Sequence, residues 1–219
     1  MVKVLTLALF FSMEAPTSPN EHRNPVLLIH GLKDTAWKMR HIERHLQNAG
    51  WEVHSLTVAP SWGQIGLDAL AGQIQSYVKR TFGAGRRFDL VGFSMGGLVS
   101  RYYLQRLGGL DRVDRFVSIS APLRGSWLAW LIPNAGCRQM RPGSAFLRDL
   151  DSDLDRLNRI QFTSFWTPLD LIIVPATSSI LPPAKCHRVW SLAHPLMVWE
   201  PRMLRLIEQA LVKSITPAS

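Results

Sequence analysis

Ser94 stands in Gly92-Phe93-Ser94-Met95-Gly96, a serine flanked at two residues on either side by glycine. A serine hydroxyl is a weak nucleophile at neutral pH. It becomes a strong one when an imidazole takes its proton and a carboxylate orients that imidazole. Leu90 and Val91 precede the motif, and Leu98, Val99, Tyr102, Tyr103 and Leu107 recur after it at helical spacing. The pattern predicts strand, sharp turn, helix, with Ser94 at the turn. Gly92 and Gly96 omit the Cβ atoms that would crowd such a turn. The Met95 backbone N–H then lies at a helix N-terminus, where partial positive charge can hold a developing oxyanion.

Seven histidines compete for the base. His22 lies in the leader, His41 and His45 in a helical stretch, His54 inside a strand and His187 at a strand start. His30 ends the first strand, where it is expected to shape the following loop. His194 follows the last strand and completes the chain order serine, aspartate, histidine. Among the carboxylates, Asp149, Asp151, Asp153 and Asp155 read as the solvated face of a helix, and Asp111 and Asp114 flank a strand start. Asp170 follows a strand end between Ser94 and His194 and is the expected orienting acid. A second oxyanion donor is expected from the Leu32 N–H, with Gly31 letting that backbone approach a substrate.

These residues need a scaffold that gathers them at one edge. Continuous apolar runs predict strands over residues 25–30, 51–58, 88–93, 113–119, 162–166 and 187–192, with 171–174 extending the structure beyond the fifth. Helical spacing falls over 37–48, 63–82, 95–107 and 201–212. Alternation of this kind predicts an α/β fold, a mostly parallel six-stranded sheet with helices on both faces. Ligands bind such sheets beyond the carboxyl ends of the strands, where His30, Ser94, Asp170 and His194 all fall. Residues 1–24 read as an irregular leader and 25–219 as one domain, with a small cap excursion over about 123–161.

The 219 residues are 47% hydrophobic and 19% charged, enough for a full core and against global disorder. The net charge of +9 is carried mostly by scattered arginines. No zinc-finger spacing, RNA-binding motif or basic–aromatic interleaving accompanies it, so nucleic-acid binding is not expected. Two cysteines, Cys137 and Cys186, are too few for a disulfide scaffold; free thiols are the simpler expectation, and a single bridge the alternative on export. The stretch Met1-Val2-Lys3 followed by eight mostly apolar residues is like a minimal signal peptide, too short to span a bilayer. Its cleavage site is poor, and Met13 is an alternative start. A cytoplasmic location is therefore expected, with secretion or a periplasmic location following if residues 1–15 act as a signal.

Taken together, the 26–32 segment ending in His30-Gly31-Leu32, the Gly92-to-Gly97 elbow, Ser120-Ala121-Pro122, Asp170 and His194 resemble the small bacterial triacylglycerol lipases, cyanobacterial and Bacillus types, of the α/β-hydrolase superfamily. The resemblance runs over about 25–210. It implies a compact α/β-hydrolase fold and a serine esterase or lipase with a Ser94–Asp170–His194 triad, an oxyanion hole, a lipid-like ester substrate, and no metal or cofactor. One departure is Leu123-Arg124-Gly125, where the family has a histidine in a Ser-Pro-His-x-Gly pattern. Trp127, Leu128, Trp130, Leu131 and Ile132 are expected either to line an acyl-chain site or to pack the cap on the sheet. If they are exposed, basic surface and apolar rim together suit peripheral contact with an anionic lipid surface. An acyltransferase or thioesterase on the same triad, and a hydrolase-fold binding protein without catalysis, are the rival readings. The natural ester and the oligomeric state are not legible.

Overall fold

Apolar strands with few charges pair most stably where both faces can be covered, and here they do. The computed structural model describes residues 23–212. Its sheet contains β1 (Val26–Ile29), β2 (Val53–Leu56), β3 (Phe88–Phe93), β4 (Val113–Ile119), β5 (Gln161–Trp166) and β6 (Lys185–Arg188). The order is β2-β1-β3-β4-β5-β6 and every pairing is parallel. The leader and the signal-like stretch fall on or before residue 24, almost wholly outside the described residues. No helix among the described residues is long and apolar enough to cross a membrane.

Side chains of successive strand residues point to opposite faces, and β1 divides accordingly. Leu27 and Ile29 join one core with α2 (Leu67–Phe82) and α3 (Met95–Arg106); Val26 and Leu28 join another with α1 (Arg40–Asn48) and α6 (Pro201–Val212). All four β1 side chains are fully buried. Each such side chain contributes roughly 1.5–3 kcal/mol relative to exposure. Two central strands and two flanking layers thus fix the carboxyl edge from which the loops emerge.

Residues 123–160 hold a 3-10 turn at Trp127–Trp130, then α4 (Ala135–Gln139), α5 (Ala145–Asp151) and a second 3-10 turn at Leu154–Arg159. The later half docks on α3. Tyr102 stacks on Phe146 at 5.2 Å, and the fully buried Arg101 donates to the carbonyls of Leu123 and Leu150 at 2.9 and 2.8 Å. Asp149 and Asp151 are exposed, as a solvated face requires, and with the half-buried Asp153 they also pair with Arg101 and Arg106 on α3. Sequence spacing shows which side of a helix is acidic, and the cations that meet it come from about 45 residues away.

Two further expectations change. The sixth strand spans Lys185–Arg188 rather than 187–192, a short, half-exposed edge strand whose alternation carries little apolar signal. Residues 171–174 add no strand; they form a loop whose amides serve Asp170. Cys137 and Cys186 are both free thiols, Cys137 buried and Cys186 half-buried.

Candidate active site

The turn after β3 holds Ser94 at φ 53°, ψ −127°, a left-handed backbone that a side chain other than glycine rarely adopts. Its surroundings enforce it. A Cβ on Gly96 would lie 2.3 Å from the His30 carbonyl oxygen, and one on Gly92 would lie 2.6 Å from the Gly97 Cα. Strand and helix are therefore in van der Waals contact, and no larger residue fits between them. The Ser94 N–H donates to the Ile119 carbonyl at 2.9 Å, fixing the turn to β4. Met95 is the first residue of α3, so its N–H has no carbonyl one turn back in the helix.

Asp170 lies in the loop after β5, 5% exposed. Its Oδ1 accepts from the N–H groups of Ile172 and Ile173 at 2.9 and 2.8 Å, and its Oδ2 meets His194 Nδ1 at 2.7 Å. Burial by itself drives this carboxyl upward. The hydrogen bond and charge of His194, with the two amides, outweigh burial and hold it below the usual carboxylate value. A carboxylate only accepts, so Nδ1 carries the proton and Nε2 is left able to accept one. The His194 ring centroid lies 4.8 Å from that of Phe93, the neighbour of Ser94.

Ser94, Met95, Leu32 and His194 all line one cavity of about 510 Å³, within the usual size range of small-molecule sites of roughly 300–1,000 Å³. Its remaining wall is mostly apolar, with Leu128, Leu131, Ile132, Met140 and Ile173 prominent. Leu131 is therefore in the wall, as one expectation had it. Trp127 and Trp130 are not: they are 58% and 54% exposed and lie outside the lining. A 3-10 turn rotates about 120° per residue, so neighbours on Trp127–Trp130 face different ways. The acyl-lining expectation is corrected for both tryptophans.

His30 is fully buried at the end of β1. Its Nε2 accepts from the Val58 N–H at 3.0 Å, so Nδ1 is the protonated nitrogen and donates to the Gly31 carbonyl at 2.8 Å. Burial pushes this imidazole below its ordinary value, against smaller upward effects from Gly31 and Asp34. His30 thus stays neutral and ties the loop carrying Gly31 and Leu32 to the chain leaving β2. Gly31 is close-fitting: a Cβ there would lie 3.0 Å from the Ser94 Cβ. Lys33, Asp34 and Lys38 also reach the cavity. Sequence reasoning passed over them, although their place directly after His30-Gly31-Leu32 was the available signal. Among the described residues, no group of three or more His, Cys, Asp or Glu side chains could hold a metal ion.

Comparison with known proteins adds the following. The model of the palmitoyl protein thioesterase family matches residues 25–150. Lysosomal thioesterase PPT2 of Mus musculus is 30% identical over 147 residues, 60% of this chain and 47% of that protein. The Homo sapiens protein of the same name is 30% identical over 148 residues. The chain spans about half the length of the curated relatives it matches. Among solved structures, Bacillus licheniformis lipase BlEst2 in mature form superposes with a TM-score of 0.73 at 16% identity, covering 89% of this chain and 94% of that one. Aspergillus fumigatus lipase B gives 0.74 at 18% identity, covering 88% of this chain and 53% of that one. At such identities the structures establish the α/β-hydrolase fold. With more than half of its residues in the family match, this chain belongs to the palmitoyl protein thioesterase family.

Proposed function

We propose that this chain is a serine hydrolase that cleaves esters of apolar acyl groups, thioesters foremost, through an acyl-enzyme intermediate on Ser94. The observation that carries the reading is the 2.7 Å contact of His194 with Asp170 at the wall of the cavity that Ser94 also borders. In the proposed route Ser94 Oγ gives its proton to His194 Nε2 and bonds to the acyl carbon. The N–H groups of Leu32 and Met95 take the developing oxyanion, typically worth ~3 kcal/mol of barrier per donor. The carbon–sulfur or carbon–oxygen bond then breaks, and His194 returns the proton to the leaving group. Water, activated by the same imidazole, releases the acid and restores Ser94. Asp170 keeps the imidazole in the required tautomer throughout.

Thioesters come first because the family match covers the oxyanion loop and the elbow. A carboxylic-ester lipase of the bacterial triacylglycerol type is the second reading, favoured by the apolar cavity wall and by the fold shared with lipases. Turnover of p-nitrophenyl esters from acetate to palmitate, beside a palmitoyl thioester, separates the two by the ratio of kcat/KM. Ser94→Ala is expected to lower kcat by about 10⁴-fold or more on either class, and a fluorophosphonate probe to label Ser94 in the unaltered chain. Turnover by Ser94→Ala equal to that of the unaltered chain would sink the proposed mechanism.

A further inference from the structure

Six of the eight tryptophans are exposed, Trp37, Trp62, Trp127, Trp130, Trp190 and Trp199. Each lies in a segment that follows the carboxyl end of a strand, the end where the cavity is built. Leu131 and Leu192 in the same loops, and Leu171 in the loop after β5, are 76%, 81% and 80% exposed. Apolar groups of this size left in water in one region mark a surface that another phase or molecule covers.

Cations are threaded through them. Lys33 lies 4.9 Å from the Trp62 ring and Lys38 4.9 Å from the Trp199 ring, and both lysines line the cavity. Arg40 stands over Trp37 at 4.4 Å and Trp199 at 5.4 Å; Arg141 stands over Trp130 at 4.4 Å. Among the described residues none of these four cations has an ion-pair partner, and Asp34 is the only carboxylate beside them in the cavity wall. At the other end of the sheet several arginines are neutralised. Arg86, Arg87, Arg106 and Arg159, before the strands or at helix ends returning to them, are all paired with Glu52, Asp114, Asp149, Asp153 or Asp111. Four cations without a carboxylate partner in the described residues thus stand among the exposed indoles at the cavity mouth.

We infer that this carboxyl-end face docks on an anionic lipid bilayer, with the cavity mouth opening onto the membrane. Indole rings partition to the headgroup region, and neighbouring lysines and arginines attract anionic headgroups. Charge complementarity selects this occupant over a second copy of the chain, because a two-fold contact would set the cationic rim against itself. The inference goes beyond the proposed hydrolysis, since docking needs neither Ser94 nor turnover.

Vesicle flotation of the full chain tests it, with phosphatidylcholine alone or with about a third phosphatidylserine, at about 50 mM and about 500 mM salt. Capture is expected on the anionic vesicles at low salt, at least ~tenfold tighter than on neutral ones, and to weaken at high salt. The double change Arg40→Glu with Arg141→Glu is expected to weaken anionic capture at least ~25-fold. Trp37→Ala with Trp130→Ala should weaken capture on both vesicles. Arg86→Glu, at the opposite end, should leave it unchanged, and Ser94→Ala should bind as the unaltered chain does while losing turnover. Equal capture by neutral and anionic vesicles overturns the inference. So does no capture at all, a loss as large in Arg86→Glu as in the rim variants, or a rim that sedimentation shows to be covered by a second copy.

Discussion

Two buried carboxylates lie at opposite ends of the sheet and are pushed in opposite directions. Asp89, in β3 near its amino end, is fully buried; it meets Arg115 at 3.1 Å and the Asn24 amide at 3.1 Å. Burial nonetheless dominates, with Asp114 adding to it, and the carboxyl is pushed up to about 6. Asp170, nearly as buried, faces the His194 imidazole and is held below the usual range. The difference lies in how many donors are fixed. Asp170 has two backbone amides from its own loop and a ring nitrogen at 2.7 Å, donors that cannot swing away. Asp89 depends on two side-chain donors, the Asn24 amide and the far end of Arg115. The His194 hydrogen bond and charge, with two fixed amides, outweigh desolvation at Asp170, whereas the Arg115 charge and the Asn24 amide do not at Asp89. One carboxylate is thus kept ionised beside a candidate base, and the other is a stability element that responds to pH.

The largest effect that would sharpen this contrast is on turnover. Asp170→Asn keeps the shape but cannot enforce the Nδ1–H tautomer, and kcat is expected to fall by about 10⁴-fold. A steady-state assay with any accepted ester reads this, and a loss under tenfold would remove Asp170 from the triad. Next comes Asp89→Asn. The folded carboxyl titrates near 6 and the unfolded one near 3.8, so the native state binds more protons between these values. The stability Asp89 contributes is then present below about 4 and is lost as pH rises to about 6. The lost stability is about 3 kcal/mol at 1.36 kcal/mol per pKa step. Urea unfolding at pH 4, 5 and 6 should show that slope in the unaltered chain and lack it in Asp89→Asn; parallel curves would break the comparison. The smallest effect is that of Asn24→Ala, which removes one donor to Asp89 and one to Asp114. A stability loss of about 1 kcal/mol is expected at pH 8, shrinking at pH 4 where Asp89 is protonated. An equal loss at both pH values would mean that Asn24 acts by packing alone.

Much of the scaffold was legible before any coordinates. β4 at Val113–Ile119 and α6 at Pro201–Val212 fall where the apolar periodicity puts them. A buried central strand and a helix opened by proline leave strong local signals. β2 and β6 are shorter than expected because edge strands have only one neighbour, and their sequence is correspondingly less constrained. The four candidate positions after strand ends come from topology, and all lie at the edge that parallel pairing predicts. The wall of the cavity was legible only in part: Leu128, Leu131 and Ile132 line it, as the sequence allowed. Trp127 and Trp130 looked like lining too, because they are large and apolar, and they lie outside it.

By itself the sequence determined what is steric and local. Gly92-x-Ser94-x-Gly96 between an apolar strand and a helical run marks a tight strand-to-helix turn, and a Cβ on Gly92 would lie 2.6 Å from the Gly97 Cα of that same turn. The alternation of apolar runs likewise left a parallel sheet as the natural solution. Tertiary structure alone decided what depends on desolvation and on partners remote in the chain. Asp89 needed Asn24 and Arg115 brought to it, and Asp170 needed His194. Hard-sphere exclusion between chain neighbours can be read from spacing, whereas the free energy of a buried charge is set by everything that surrounds it in space.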